Sequence, residues 1–152
     1  MDKIDAKILE FLQEDAKLTA KEMAAKLNLT PTPIYERIKK LENQGVIKSY
    51  VALLDPTKVN KGLTVFLNIT IKEHHLDYRR AFVEDMKRLT DITELYHTSG
   101  RYDFLAKVKF ANINDYKNFL INDLTDIKNI GNIDSQIVLD ELKSTTKINL
   151  IS

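Results

Sequence analysis

The sequence predicts an α+β protein in two parts. A three-helix unit containing a helix-turn-helix is expected over residues 1–54, a hinge over 55–62, and a ferredoxin-like βαββαβ sandwich over 63–152. Two helix starts in close succession between Leu18 and Tyr50 carry the first part. A strict alternation that begins at Leu63, continued by helical and extended stretches in the order β-α-β-β-α-β, carries the second.

The first helix is expected from Asp2 to about Gln13, with Ile4, Ile8, Leu9 and Leu12 on one stripe and Asp2 and Asp5 at the positive end of its dipole. The second opens on Thr19 and Glu22, which have the spacing of a capping box, with Leu18 and Met23 as the hydrophobic staple. A third repeats that logic, with Thr30 as cap, Pro31 at the first helical position, where no N–H is needed, and Leu29 against Ile34. It stops at Gly45, with Val46 placed against Leu41 in a Schellman ending. Only Asn28 and Leu29 separate the second and third helices, so the link must turn sharply. Ile34, Ile38 and Leu41 point inward, which turns Thr32, Tyr35, Glu36, Lys39, Lys40 and Asn43 outward or to the flanks. Such a face suits a recognition helix, whose first turns meet base edges while its cations meet phosphate. Thr30, Thr32, Tyr35, Glu36, Arg37, Lys39 and Lys40 are therefore the expected contacts to double-stranded DNA. The same pattern also describes a plain amphipathic helix with a solvated face.

Composition narrows the class. The chain has 152 residues, 43% apolar content and a net charge of +1, so no global positive field marks it as a non-specific coater of DNA. Charge is uneven, however. Residues 1–29 carry five lysines against six acids, whereas Arg37, Lys39, Lys40 and Lys48 face only Glu36 and Glu42 in residues 30–50. The absence of cysteine removes a disulfide framework and a thiolate metal site. The start MDKIDAKIL is charged and helical in pattern, and no apolar run approaches membrane-spanning length, so a cytoplasmic protein without a membrane partner is expected.

Beyond Gly45 the period changes. Residues 46–54 read as a strand or extended connector ending at Asp55-Pro56. Leu63, Val65, Leu67, Ile69 and Ile71 then alternate with polar neighbours and Phe66, a half-buried strand. A helix follows through Phe82, Val83, Met86 and Leu89. Strands are expected over Ile92–Ser99 and Tyr102–Phe110 around a Gly100-Arg101 turn. Asn114 to about Leu124 reads as helix, and Ile133, Ser135, Ile137 and Leu139 line the last strand. With both helices on one side, the other face of the sheet would carry Phe66, Leu105, Val138 and Leu142, an apolar patch that a second copy would cover in a symmetric homodimer.

The stretch LTPTPIYERIKKLENQGVIKSYVALLDP, followed by a βαββαβ half containing TSGRYDFLAKV, resembles the Lrp/AsnC family of transcription regulators over essentially the whole chain. Its most specific parts are Thr30–Pro33, Arg37–Glu42, Gly45–Ile47 and the loop Ser99–Asp103. The resemblance implies DNA binding by dimers that assemble further, to an octamer or another ring of dimers, and a free amino acid as effector between dimers. It places that effector against Ser99, Gly100, Arg101, Tyr102, Asp103 and Ser135. The chain also departs from the family. Glu36 stands where relatives often carry a cation, which would reduce phosphate attraction or select a cytosine amine, and Arg101 stands where an acid is common. Ile133 and Ser135 occupy a Thr-x-Thr position.

Read physically, that loop offers Gly100 for close backbone approach, Arg101 for a carboxylate and Asp103 for an ammonium, or else it is an ordinary hairpin turn capped by Asp103. Neither a metal nor a cofactor is expected, because His74 and His75 are adjacent in a turn and lack a third ligand. No nucleophile elbow or phosphate loop is present, so an enzyme is not the expectation. Two other readings stay open: a DNA-organising protein without effector, and a small enzyme using His97 and Asp103.

Overall fold

The structure, a computed structural model, describes residues 1–150. The chain divides into two compact units, one formed by Met1–Leu53 together with the tail over residues 142–150, the other by Leu54–Glu141.

In the first unit, α1 (Lys3–Glu14), α2 (Ala20–Leu27) and α3 (Pro31–Asn43) enclose Ile8, Leu9, Met23, Ala24, Ile34 and Leu41. The helix stop at Gly45 is as expected: with φ +70° there, Gly45 N–H donates to Glu42 O at 2.9 Å and Val46 N–H to Leu41 O at 3.0 Å, the two bonds of a Schellman ending. Asn28, left-handed at φ 54°, turns the chain between α2 and α3. Residues 46–54 form no strand and run as a connector with Val51, Leu53 and Leu54 exposed.

The tail departs from expectation. Residues 142–150 group with the helices instead of with the sandwich. Gln13 accepts from Ile148 N–H at 2.6 Å and donates to Ile148 O at 3.1 Å, Lys147 pairs with Glu14, and Leu150 packs on the helical core. Leu142 is 94% exposed and lies beyond the sheet, so it does not contribute to the sheet's open face as predicted.

In the second unit, β1 (Leu63–Ile71), α4 (Leu76–Arg88), β2 (Ile92–His97), β3 (Phe104–Phe110), α5 (Ile113–Asn118), a π-helical turn (Phe119–Asp123) and β4 (Ile130–Ile137) follow in the predicted order. The sheet is antiparallel with order β2-β3-β1-β4. Val65, Leu67, Ile69 and Ile71 meet Phe104, Ala106, Val108 and Phe110 beneath Phe82, Met86, Tyr116 and Phe119. Both central strands bury one face through their two-residue period. Beta2 and β3 are shorter than expected, so the loop between them widens to Thr98–Asp103, and Leu139, 91% exposed, lies past β4. The open face keeps Phe66 and Leu105 half-buried, with Lys107 over the Phe66 ring at 6.0 Å.

Candidate nucleic-acid interface and ligand loop

The α2 and α3 N-termini look alike in sequence and differ in structure. Thr19 Oγ1 accepts from Glu22 N–H at 3.2 Å, and the Glu22 carboxylate accepts from Thr19 N–H at 2.8 Å, a closed capping box. Thr30 is the N-cap of α3 by position and makes no side-chain cap bond. Part of the physical reason lies three residues on. A cap hydroxyl accepts from the second or third helical N–H, and the third position of α3 is Pro33, which has none. Among the first three helical positions only Thr32 carries an N–H, and Thr30, Thr32 and Pro33 are all exposed. The positive end of α3 therefore presents an uncapped N–H and a hydroxyl to an anion.

Further along, the cations divide into three kinds. Arg37 donates to Asp2 and to Asp5, each at 2.6 Å, and so ties α3 to the N-terminus of α1. Burial pushes the Asp5 carboxyl up, but the bond from Asp2 N–H and the Arg37 guanidinium outweigh it and leave Asp5 below the ordinary carboxylate range. Arg37 was expected to approach phosphate; in this structure it is a clamp between helices. Lys39 lies 3.0 Å from Glu42 and 5.8 Å from the centre of the Tyr35 ring. The bonds from Lys39 and then from Tyr50 hold Glu42 below its usual value. Lys40 is exposed and, among the described residues, has no ion pair. Tyr35, 57% exposed, and Glu36 share the outward side.

In the second unit the loop Thr98–Asp103 is bound to itself and to β1. Asp103 N–H donates to Ile69 O at 2.9 Å, its carboxylate accepts from Ile71 N–H at 2.9 Å, and Thr98 N–H donates to Asp103 O at 2.8 Å. His74 Nδ1 lies 3.6 Å from the same carboxylate. Asp103 thus finishes the edge of β1, the local capping role weighed for it above. Gly100 has φ +120°, which needs glycine, while no atom lies within 4 Å of an added Cβ, so its requirement is backbone strain alone. Arg101 sits 5.5 Å from the Tyr102 ring, and the Tyr102 hydroxyl donates to Asp134 at 2.8 Å. Ser99 is exposed.

Ser135 stands apart from this group. It pairs with Leu67 on the opposite side of β1 from β3, and its hydroxyl accepts from Tyr116 on the helix side of the sheet. The loop reaches the adjacent Asp134 through Tyr102, while the Ser135 hydroxyl is engaged by Tyr116 instead. His97 stacks on Phe104 at 5.1 Å, and His75 lies near Asp77 instead of joining His74. Among the described residues no group of three metal-ligating side chains is close enough to hold an ion, and no helix is long and apolar enough to cross a membrane.

Comparison with known proteins follows the same division of the chain. Residues 1–48 match a winged helix-turn-helix DNA-binding domain and residues 64–148 match the Lrp/AsnC ligand binding domain. The chain belongs to the Lrp/AsnC family. It is 32% identical over 148 residues to the DNA-binding transcriptional activator DecR of Escherichia coli, covering 97% of each. An AsnC family regulator from Agrobacterium tumefaciens superposes with a TM-score of 0.93 at 37% identity, covering 97% of this chain and 96% of that one. A transcriptional regulator of Neisseria meningitidis solved as an L-methionine complex gives 0.92 at 32% identity, with the same coverage. This Lrp/AsnC chain is a DNA-binding transcriptional regulator carrying a ligand-binding domain.

Proposed function

We propose that the chain reads specific operators through the N-terminal half of α3 and that a free amino acid, bound between dimers at the sandwich units, modulates this. The observation that carries the DNA reading is the uncapped start of α3, where Pro33 removes one of the two N–H groups that a cap could bond. Thr30 and Thr32 N–H meet backbone phosphate there, Tyr35 and Glu36 reach base edges, and Lys40 meets phosphate without first breaking a pair. Lys39 must leave Glu42 to do the same, and Arg37 positions the helix. A regulator that reads operators works in the cytoplasm, beside the DNA.

Support for an amino acid comes from the L-methionine in the Neisseria relative. That the Ser135 hydroxyl is turned to Tyr116, and not to the loop Ser99–Asp103, favours a site completed by a second copy. Homodimerisation over the open sheet face, and assembly of dimers into a ring, would supply that copy. In such a site Asp103 offers an acceptor for the ammonium and Arg101 a donor for the carboxylate. The sharp variant is Asp103→Asn, because the amide oxygen can still accept from Ile71 N–H while the charge is lost. Fluorescence anisotropy on a selected operator, with and without each of the twenty amino acids, should show a ligand-dependent change in affinity in the parent and none in Asp103→Asn. A coupling of about 1–3 kcal/mol is the expected size. An equal response in both proteins would remove Asp103 from the site.

A further inference from the structure

On α4, Leu76, Arg79, Arg80 and Val83 recur at helical spacing and, with Glu84, His97 and Phe104, line an open cleft of ≈ 490 Å³. Its floor is apolar: Phe104 is 2% exposed and stacked on Phe82 at 4.8 Å, and Val83 is half-buried beside it. Its rim is cationic. Among the described residues neither Arg79 nor Arg80 has an ion pair, although Arg79 is half-buried. Of the nearby acids, Glu84, the one carboxylate in the lining, pairs with Lys87 at 2.9 Å and Asp85 with Arg88 at 3.3 Å, while Asp77 is not part of the lining. Two guanidinium forks over an aromatic and aliphatic floor match a carboxylate carried on a compact apolar body. The volume is within the range of small-molecule sites.

An α-amino acid fits this charge pattern poorly. Its ammonium would face two unpaired guanidinium groups, the like-charge contact by which a site rejects the wrong ligand, and the one carboxylate of the lining, Glu84, already pairs with Lys87. We propose that this cleft is a second ligand site of the domain and takes a small organic acid with an apolar body and no amino group. The residues involved are not those of the loop Ser99–Asp103 or Ser135, so the proposal goes beyond the amino-acid reading and does not depend on it.

The test is calorimetric titration of the full chain with 3-phenylpropanoate, with 3-phenylpropan-1-ol and L-phenylalanine as the uncharged and aminated counterparts and inorganic phosphate as the bare anion. The acid should bind, and the other three should bind at least about tenfold more weakly, the order expected for loss of one charge-assisted contact. Arg79→Gln and Arg80→Gln should each weaken the acid by a similar factor. Val83→Phe should block the cleft with both arginines intact, and Asp103→Asn should leave the acid's affinity unchanged. Three results would overturn the proposal: no heat from the acid, binding indifferent to both arginine variants, or L-phenylalanine or phosphate binding as tightly as the acid. A loss in Asp103→Asn alone would place the acid at the loop instead and also overturn it. Failure of the cleft leaves the operator and amino-acid experiment untouched.

Discussion

Alpha2 and α3 both begin Leu-Thr, and the two threonines end in opposite circumstances. Thr19 is locked to Glu22 on both its hydroxyl and its backbone, while Thr30 has its hydroxyl unbonded, Pro33 having removed one of the two N–H groups it could cap. A helix end that satisfies itself contributes stability and has little left to offer a partner; an end denied its donor keeps its bonding capacity for something outside the chain. The cations of α3 divide in the same way, Arg37 turned inward to α1 and Lys40 without a pair.

The largest expected effect strikes the inward member. Arg37→Ala should destabilise the helical unit by about 1–3 kcal/mol, because Asp5, only 6% exposed, is left without its cation. Urea denaturation measures this, and a loss in operator affinity without a loss of stability would restore Arg37 to the phosphate. The deficit should also depend on pH with a definite sign. Asp5 is depressed in the fold, so the Arg37 contribution is fully present above its ordinary value of 3.8 and disappears as pH falls through the lowered one. A parent and a variant that stay equally far apart at the acid end would contradict the clamp.

Next come the two caps. Thr19→Ala should cost about 1 kcal/mol of stability and leave the affinity of the folded protein for DNA unchanged, whereas Thr30→Ala should change stability by only a few tenths and weaken DNA about fivefold, the value of one hydrogen bond. Pro33→Ala sharpens this pair, since the restored N–H lets Thr30 close on its own helix. Protection of that new amide from hydrogen exchange should appear together with weaker DNA binding. If Thr19 and Thr30 variants behave alike, the contrast between the two helix ends has no functional content.

The smallest effect concerns salt. Lys40→Ala should flatten the slope of log affinity against log salt by about 0.9, the contribution of one neutralised phosphate. Lys39→Ala should flatten it less, because that ammonium already has Glu42 at 3.0 Å. Equal slopes for the two variants would show that the Lys39 pair dissolves on DNA without consequence.

Much of this was legible in the sequence. The alternation of Leu63–Ile71 placed β1 and its buried face, and the period of Phe82 and Met86 placed α4, because one-sided burial writes its period into the chain. The open cap of Thr30 was legible only in part, because Pro33 removes the third helical N–H but leaves that of Thr32. The Arg37 clamp was not legible. Its partners lie 32 and 35 residues away, and a cation on an exposed helix face reads as solvated until the neighbouring helix is in place. Asp103 offered two readings in the sequence, ligand acceptor or backbone cap, and the Ile71 N–H at 2.9 Å identifies the second. Leu142, Ile148 and Leu150 are too sparse to carry a period, so the tail passed for the end of the sandwich.

That tail has a temporal consequence. Residues 54–141 leave the ribosome before Leu142 does, so the ligand-binding unit has its full sequence while the helical unit still lacks the strap that holds Gln13, Glu14 and the core around Leu150. Domains generally fold in the order they are made, yet here the unit begun first is completed last. A nascent chain halted before Leu142 displays its three helices without that strap. The helix-turn-helix unit reaches its final support only once the ligand-binding unit has its whole sequence.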